Sequence, residues 1–300
     1  MKKRDFLKSL VSIPAMASYG LRSGTRMSLG KAIAHPRSLK LSLNAYSFNG
    51  PLSRGEMDLD DLFNFCAENG FDAVDPTGYY FPGYPEVPPD RYLYDLKRKA
   101  FDLGLEISGT GIRNDFTVLD PNKRKSDIQL IKNWIIAAEK MGIPVIRIFS
   151  GTQHHEAYSW DEVAEWMVKD IKECVDFGKN HGVVVAVQNH ADFIQTANHV
   201  ERLVHMVDSP WFGLILDTGS YGGEDPYEEI KRTIPYAVSW QVKELINRNG
   251  KEEPVYLPKL MGIIKDSSYR GYLPIETLGP GDPFEKVPVF LAQVRAALYL

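Results

Sequence analysis

The segment Asn180-His181-Gly182-Val183-Val184-Val185-Ala186-Val187-Gln188-Asn189-His190 holds the pattern that decides the fold. A helix-like amphipathic stretch ends at a glycine, and an uninterrupted apolar run follows at once. Glycine just past a helix end takes the left-handed cap conformation without a Cβ penalty. A short apolar run without polar alternation suits a parallel strand buried on both faces. Polar residues return at Gln188 and His190, where such a strand would end.

The same unit recurs along the chain. Asn69-Gly70 precedes Phe71 to Val74, Leu103-Gly104 precedes Leu105 to Ile107, and Met141-Gly142 precedes Ile143 to Ile146. Arg270-Gly271 precedes Tyr272 to Ile275. Further apolar runs at 39–46, 212–216 and 237–242 bring the expected strands to eight. Amphipathic stretches at 57–69, 90–103, 124–141, 160–181, 197–207, 226–233, 255–266 and 284–299 are the helices between and after them. Eight alternating strand–helix units predict an α/β fold, a single (β/α)8 TIM barrel over residues 35–300. A doubly wound sheet is the rival arrangement. Its glycine-rich first turn, Gly-x-Gly-x-x-Gly, is absent.

Charge divides the chain unevenly. Residues 1–34 carry seven Lys/Arg against Asp5, a net of +6, while the whole chain is −4, which leaves −10 on the body. An acidic body lacks the clustered Lys/Arg that a nucleic-acid backbone demands, so nucleic acid is excluded as a partner. No uncharged apolar run approaches the roughly 20 residues that a bilayer span needs. Two cysteines, Cys66 and Cys174, are too few for a disulfide framework and read as buried thiols.

The basic segment reads as an address. Lys3-Arg4-Asp5-Phe6-Leu7-Lys8 resembles the twin-arginine export signal, with Lys3 at the first position of the pair. An uncharged stretch follows, then small-x-small sites at Ala15-Met16-Ala17 and Ala32-Ile33-Ala34. The expectation is a signal over 1–34 and a periplasmic protein, cytoplasmic if the segment is only a basic tail.

In a TIM barrel the chemistry sits at the carboxyl ends of the strands. Those ends carry Asn44 and Tyr46, Asp75, Ser108 and Thr110, Arg147 and Phe149, then Gln188 and His190, Asp217, Gln241 and Lys243, and Glu276. Carboxylate and amide oxygens from the sixth to eighth strands suit a hard divalent ion such as Mg or Mn. Such an ion can bind vicinal sugar oxygens and acidify a neighbouring proton.

The segments Val187-Gln188-Asn189-His190, Leu216-Asp217-Thr218-Gly219, Gln241-Val242-Lys243-Glu244 and Pro274-Ile275-Glu276-Thr277-Leu278-Gly279 resemble the xylose-isomerase-like barrel superfamily. Within it they are similar to the sugar phosphate isomerase/epimerase group. The resemblance implies one divalent metal held by Glu, Asp, His and Glu on the last four strands. Carried over, those positions are Gln188, Asp217, Gln241 and Glu276, two of them departures from the pattern. The loss of the fifth-strand carboxylate removes one of the two bases that the resemblance implies for epimerisation. His190 is the substitute for it, and Lys243 matches a lysine frequent at its position.

The expected roles follow. Glu276, Lys243 and His190 are the catalytic candidates; Arg147, His154, His155, Asp75 and Tyr46 are the substrate-binding ones. Gln188, Asp217, Gln241 and Glu276 are the expected ligands of Mn or Mg. The expected activity is sugar isomerase/epimerase-like, on a small carbohydrate or polyol, through a metal-held enediolate. A lyase that eliminates beside the carbonyl of a keto-sugar or keto-glycoside is the alternative, and a non-catalytic carbohydrate-binding barrel is another. An oligomer is compatible with all three. An endonuclease of the same fold needs a His-rich multi-metal site and a basic groove, and this sequence has neither.

Overall fold

The apolar runs of the sequence become the strands of one curled parallel sheet. A computed structural model describes residues 39–152, 155–190 and 193–299. The basic N-terminal segment and His154 lie outside the described residues. The strands are β1 (Lys40–Asn44), β2 (Ala73–Asp75), β3 (Glu106–Ile107), β4 (Thr110–Gly111), β5 (Val145–Ile148) and β6 (Val184–Gln188). They continue with β7 (Phe212–Asp217), β8 (Ala237–Lys243), a short antiparallel hairpin β9 (Leu245–Arg248) and β10 (Lys251–Pro254), and β11 (Tyr272–Glu276).

Spatial order in the main sheet is β3-β2-β1-β11-β8-β7-β6-β5-β4. Its two ends, β3 and β4, are pieces of one strand separated only by Ser108 and Gly109. The first piece pairs with β2 and the second with β5, so the sheet closes through that strand. Nine segments therefore fill eight barrel positions. The break has local causes. Ser108 directs its Oγ to Ser42 Oγ at 2.7 Å and to the Val74 carbonyl at 3.3 Å. At Gly109 a Cβ would stand 2.9 Å from Asp75 Oδ2.

The eight expected helices are present, including Pro121–Met141, Trp160–Asn180 and Pro283–Tyr299. Gly70, Gly104, Gly142 and Gly182 take φ of +68° to +74°, as expected of residues that stop helices before strands. Gly271 departs from the expectation. The preceding helix already ends at Asp266, and Gly271 instead makes room for Tyr269, whose hydroxyl would lie 2.8 Å from a Cβ there. The hairpin was also absent from the sequence reading. Its turn, Asn249-Gly250, takes φ of +52° and +79°, the paired left-handed geometry that Asn-Gly favours.

Strand periodicity positions the site. Most buried side chains pack between the sheet and the helices. Val145, Ala186 and Ile215 form a separate small cluster with Val184 and Val238 packed against it. Successive side chains of a strand alternate between faces, so two residues on from that cluster, on the same faces, stand Arg147, Gln188 and Asp217. An apolar plug thus fills the barrel beneath a polar upper layer. Among the described residues no helix is long and apolar enough to cross a membrane.

Candidate active site

Register brings the polar layer together. Asp217 lies opposite Gln241, and Glu276 lies opposite Lys243, on adjacent parallel strands. Asn189 clamps the end of β7: its Oδ1 accepts from the Asp217 backbone N–H at 2.8 Å, and its Nδ2 donates to the Asp217 carbonyl at 2.9 Å. The Lys243 backbone N–H donates to Thr218 Oγ1 at 2.9 Å. These bonds continue the ladder past the last strand residues, so the side chains above are held on a fixed frame.

Lys243 is the centre of the arrangement. Its Nζ lies 2.8 Å from Asp217 Oδ2 and 3.5 Å from Glu276 Oε1. Burial alone would draw its proton affinity down, but the two carboxylates more than offset this and hold the ammonium above the usual lysine range. The lysine stem fits because residue 219 is glycine; a Cβ there would stand 2.9 Å from Lys243 Cδ and 3.0 Å from the Leu245 carbonyl. Gln188 completes the layer, donating from Nε2 to Asp217 Oδ2 at 2.7 Å and to Gln241 Oε1 at 2.5 Å. Asp217 Oδ1 accepts from the Gly219 N–H at 2.9 Å. Asp217 is fully buried with three donors upon it.

Above this layer opens a cavity of about 620 Å³. Gln188, Gln241, Lys243, Glu276 and Arg147 line it from the strand ends, and Tyr46, Tyr79, Arg113, Phe149, His190 and Leu278 line it from the loops. Asp217 lies below and does not line it. Burial raises the proton affinity of Glu276; Lys243 pulls it back, Asp217 pushes it further up and Arg147 lowers it again, with a net rise. A carboxylate of raised affinity beside a fixed ammonium, both on a cavity floor, can accept a proton while the cation holds a developing negative charge.

Among the described residues Arg147 forms no ion pair with a strand-end carboxylate. Its guanidinium lies 4.1 Å from the Phe149 ring centre and donates to Tyr79 Oη at 3.4 Å and, from Nη1, to the Ile112 carbonyl at 3.5 Å. Gly111 gives it space, since a Cβ there would come within 2.5 Å of the guanidinium. Its charge still reaches Asp75, which burial pushes up to about 7 despite the pull of Arg147, with Glu276 adding to the rise.

That shift gives a prediction about stability. The folded protein keeps the Asp75 proton to about pH 7, whereas the unfolded chain releases it near the ordinary value of 3.8. Stability contributed by this group therefore falls as pH rises from about 4 to 7. Asp75→Asn, neutral at every pH, is expected to stabilise the fold by on the order of 3 kcal/mol at pH 8, with the gain fading toward pH 4. Urea unfolding across that range checks it; a pH-independent difference would refute the assigned cause.

The other candidates separate. Tyr46 lines the cavity, with its ring edge-on to Tyr79 at 6.4 Å. His190 lines it from beyond the end of β6, packed on Phe149 at 4.9 Å. His155 does not: its Nε2 lies 2.6 Å from the Thr117 carbonyl, which ties the loop together. Arg113 was missed by the sequence reading. It packs over Tyr79 at 4.4 Å and supplies a second cation to the mouth. Its signal was its place just past the interrupted third strand.

The family model for the xylose isomerase-like TIM barrel matches residues 63–293. The chain belongs to that family. Among solved structures, this xylose isomerase-like barrel is similar to D-psicose 3-epimerase from Clostridium cellulolyticum H10, with TM-score 0.71 and 16% identity over 87% of this chain and 99% of that one. It is also similar to 3-keto-D-glucoside 4-epimerase from E. coli, with TM-score 0.68 and 14% identity over 86% and 100%. At such identities the likeness is one of fold. A curated relative, the 3'-dehydrocarminate deglycosidase alpha subunit of a Microbacterium species, is 26% identical over 121 residues. That match spans 39% of the barrel chain and only 34% of the relative's length.

The four residues expected to hold Mn or Mg do come together, but in a closed form. Gln188 presents donor hydrogens, not an oxygen, to Asp217 and Gln241. Turning that amide over would set three oxygens against one another. Lys243 already bridges the two carboxylates, and no group of three or more His, Cys, Asp or Glu that could hold a metal occurs among the described residues. Mg or Mn takes about six oxygen ligands, several of which can be waters, and its charge repels a neighbouring ammonium. The donor set, as arranged, does not fit the ion.

Proposed function

We propose that this barrel is a sugar isomerase/epimerase-like enzyme that moves a proton on a carbon next to a carbonyl, in a keto-sugar or keto-glycoside. The observation that carries the reading is the pairing of Glu276 with Lys243 on the cavity floor, at 3.5 Å. Glu276 accepts and returns the proton, and Lys243 faces the oxygen that gains charge. With Gln188 at the end of β6, no second carboxylate stands there for two-base inversion, so same-face isomerisation is the favoured form.

Substrate size supports a sugar that carries a substituent. A cavity of about 620 Å³ is in the range that encloses drug-sized ligands. A second cavity of about 740 Å³ shares the Tyr46 and Leu278 walls with it. The similarity to a keto-glucoside epimerase and a dehydro-glycoside deglycosidase points to the same substrate class. The deglycosidase likeness favours elimination as a second reading, in which proton removal by Glu276 expels a group from the adjacent carbon. The twin-arginine-like segment supports a periplasmic enzyme in this reading, and an unphosphorylated substrate is the form expected there.

Incubation with keto-sugars and keto-glycosides in D2O, followed by NMR, tests the reading. Deuterium at the carbon beside the carbonyl is expected, with an isomer or an elimination product accumulating. Saturable binding without exchange at any carbon would leave a carbohydrate-binding barrel and defeat the enzymatic assignment.

A further inference from the structure

We propose that Lys243 is the resident cation of this site, and that the reaction it serves needs no divalent metal. The inference rests on the isomerase/epimerase-like reading of the same site. Its ground is the seat built for the ammonium. Asp217 and Glu276 converge on it from two different strands, at 2.8 and 3.5 Å. Gly219 clears the path of its stem. Gln188 turns its amide hydrogens inward, which places donors where an ion would need acceptors. Asp217 is sealed beneath these groups, wholly out of contact with solvent.

The ammonium is not sealed. Lys243 keeps 13% of its side-chain surface exposed and lines the cavity. An ammonium has three donors; two face the carboxylates, and the third is left for a ligand in the cavity. A dication brought to the same two carboxylates would meet the ammonium at contact range in a weakly screened site, a strongly unfavourable pairing. Lysine and metal are therefore alternatives at this position.

The step balances without a metal or an oxidant. The Glu276 carboxylate takes the proton from the carbon beside the carbonyl, and the C–H electron pair becomes the C=C bond. The carbonyl π pair moves to its oxygen, which accepts the free N–H of Lys243. The proton then returns from Glu276 to the neighbouring carbon, while a hydroxyl proton passes between the two oxygens. The product is an isomer of the substrate, and nothing is oxidised or reduced.

The test uses the purified full chain, dialysed against EDTA, with elemental analysis, Mn titration by calorimetry and turnover on the keto-sugar panel. Expected are no stoichiometric divalent metal, no Mn binding at micromolar concentration, and turnover unchanged by the chelator. Lys243→Met is expected to lower kcat by 100-fold or more with a smaller change in KM, since a single donor to a developing oxyanion is worth that much. Circular dichroism confirms that the variant is folded, and the chelator arm on the unaltered protein decides the matter if it is not. One equivalent of Mn bound tightly, or turnover that EDTA removes and Mn restores, overturns the proposal. A failure of the functional reading looks different: no substrate turns over with or without metal. The Mn titration still decides the resident cation in that case, because tight Mn binding refutes it and its absence upholds it.

Discussion

Glu276→Gln is expected to lower kcat by 10²–10⁴-fold, the range that a positioned general base contributes. Gln has nearly the shape of Glu and can still accept a hydrogen bond from Lys243, but it cannot take a proton. The carboxylate it replaces is buried at the end of β11, and burial raises its proton affinity toward what a base for a weakly acidic C–H requires. KM should change little if Glu276 acts mainly on the reacting proton. Loss of deuterium exchange in parallel with kcat would locate the defect at proton removal. Retention of activity within tenfold would move the base to another group in the mouth, with His190 the first to be tested.

Asp217→Asn is expected to destabilise the folded protein by about 3–5 kcal/mol, the usual cost of breaking one half of a buried ion pair. Asp217 accepts from Gln188, from the Gly219 N–H and from Lys243, and none of its surface reaches solvent. An Asn amide supplies one acceptor for those donors and adds hydrogens that face Gln188 or Lys243. The ammonium is then left with Glu276 alone. Urea unfolding of the two proteins at neutral pH measures the difference. A stabilised variant would mean that the carboxylate lacks a compensating cation in the native protein, as a vacant ion site does.

Both predictions concern residues legible before the fold was seen, but not their relations. Gln188, Asp217, Gln241, Lys243 and Glu276 were readable as strand ends because each breaks an apolar run. Their shared face followed from the period of two along a strand. These signals are local: a glycine cap and a buried run are encoded within about ten neighbouring residues. The barrel followed from repetition of that unit and from the absence of the phosphate-binding glycine turn. Asn249-Gly250 was an equally local sign of the hairpin that the reading passed over.

Tertiary structure decided what depends on distances between strands far apart in sequence. Asp217 and Glu276 are brought to one ammonium only by the register of β7, β8 and β11. Nothing within Gln241-Val242-Lys243-Glu244 says whether the lysine points into solvent or between two carboxylates. Arg147 rests against an aromatic ring, and His155 meets a backbone carbonyl in place of a substrate. The third strand is interrupted where Ser108 and Gly109 meet Ser42, Val74 and Asp75, neighbours that only the closed sheet supplies. The sequence by itself determined which side chains end the strands and share a face, since alternation along a strand is a property of the backbone. Which of them pair, and so where the site's charge resides, was decided only when barrel closure fixed the spacing, because electrostatic and hydrogen-bond energies change steeply over an ångström.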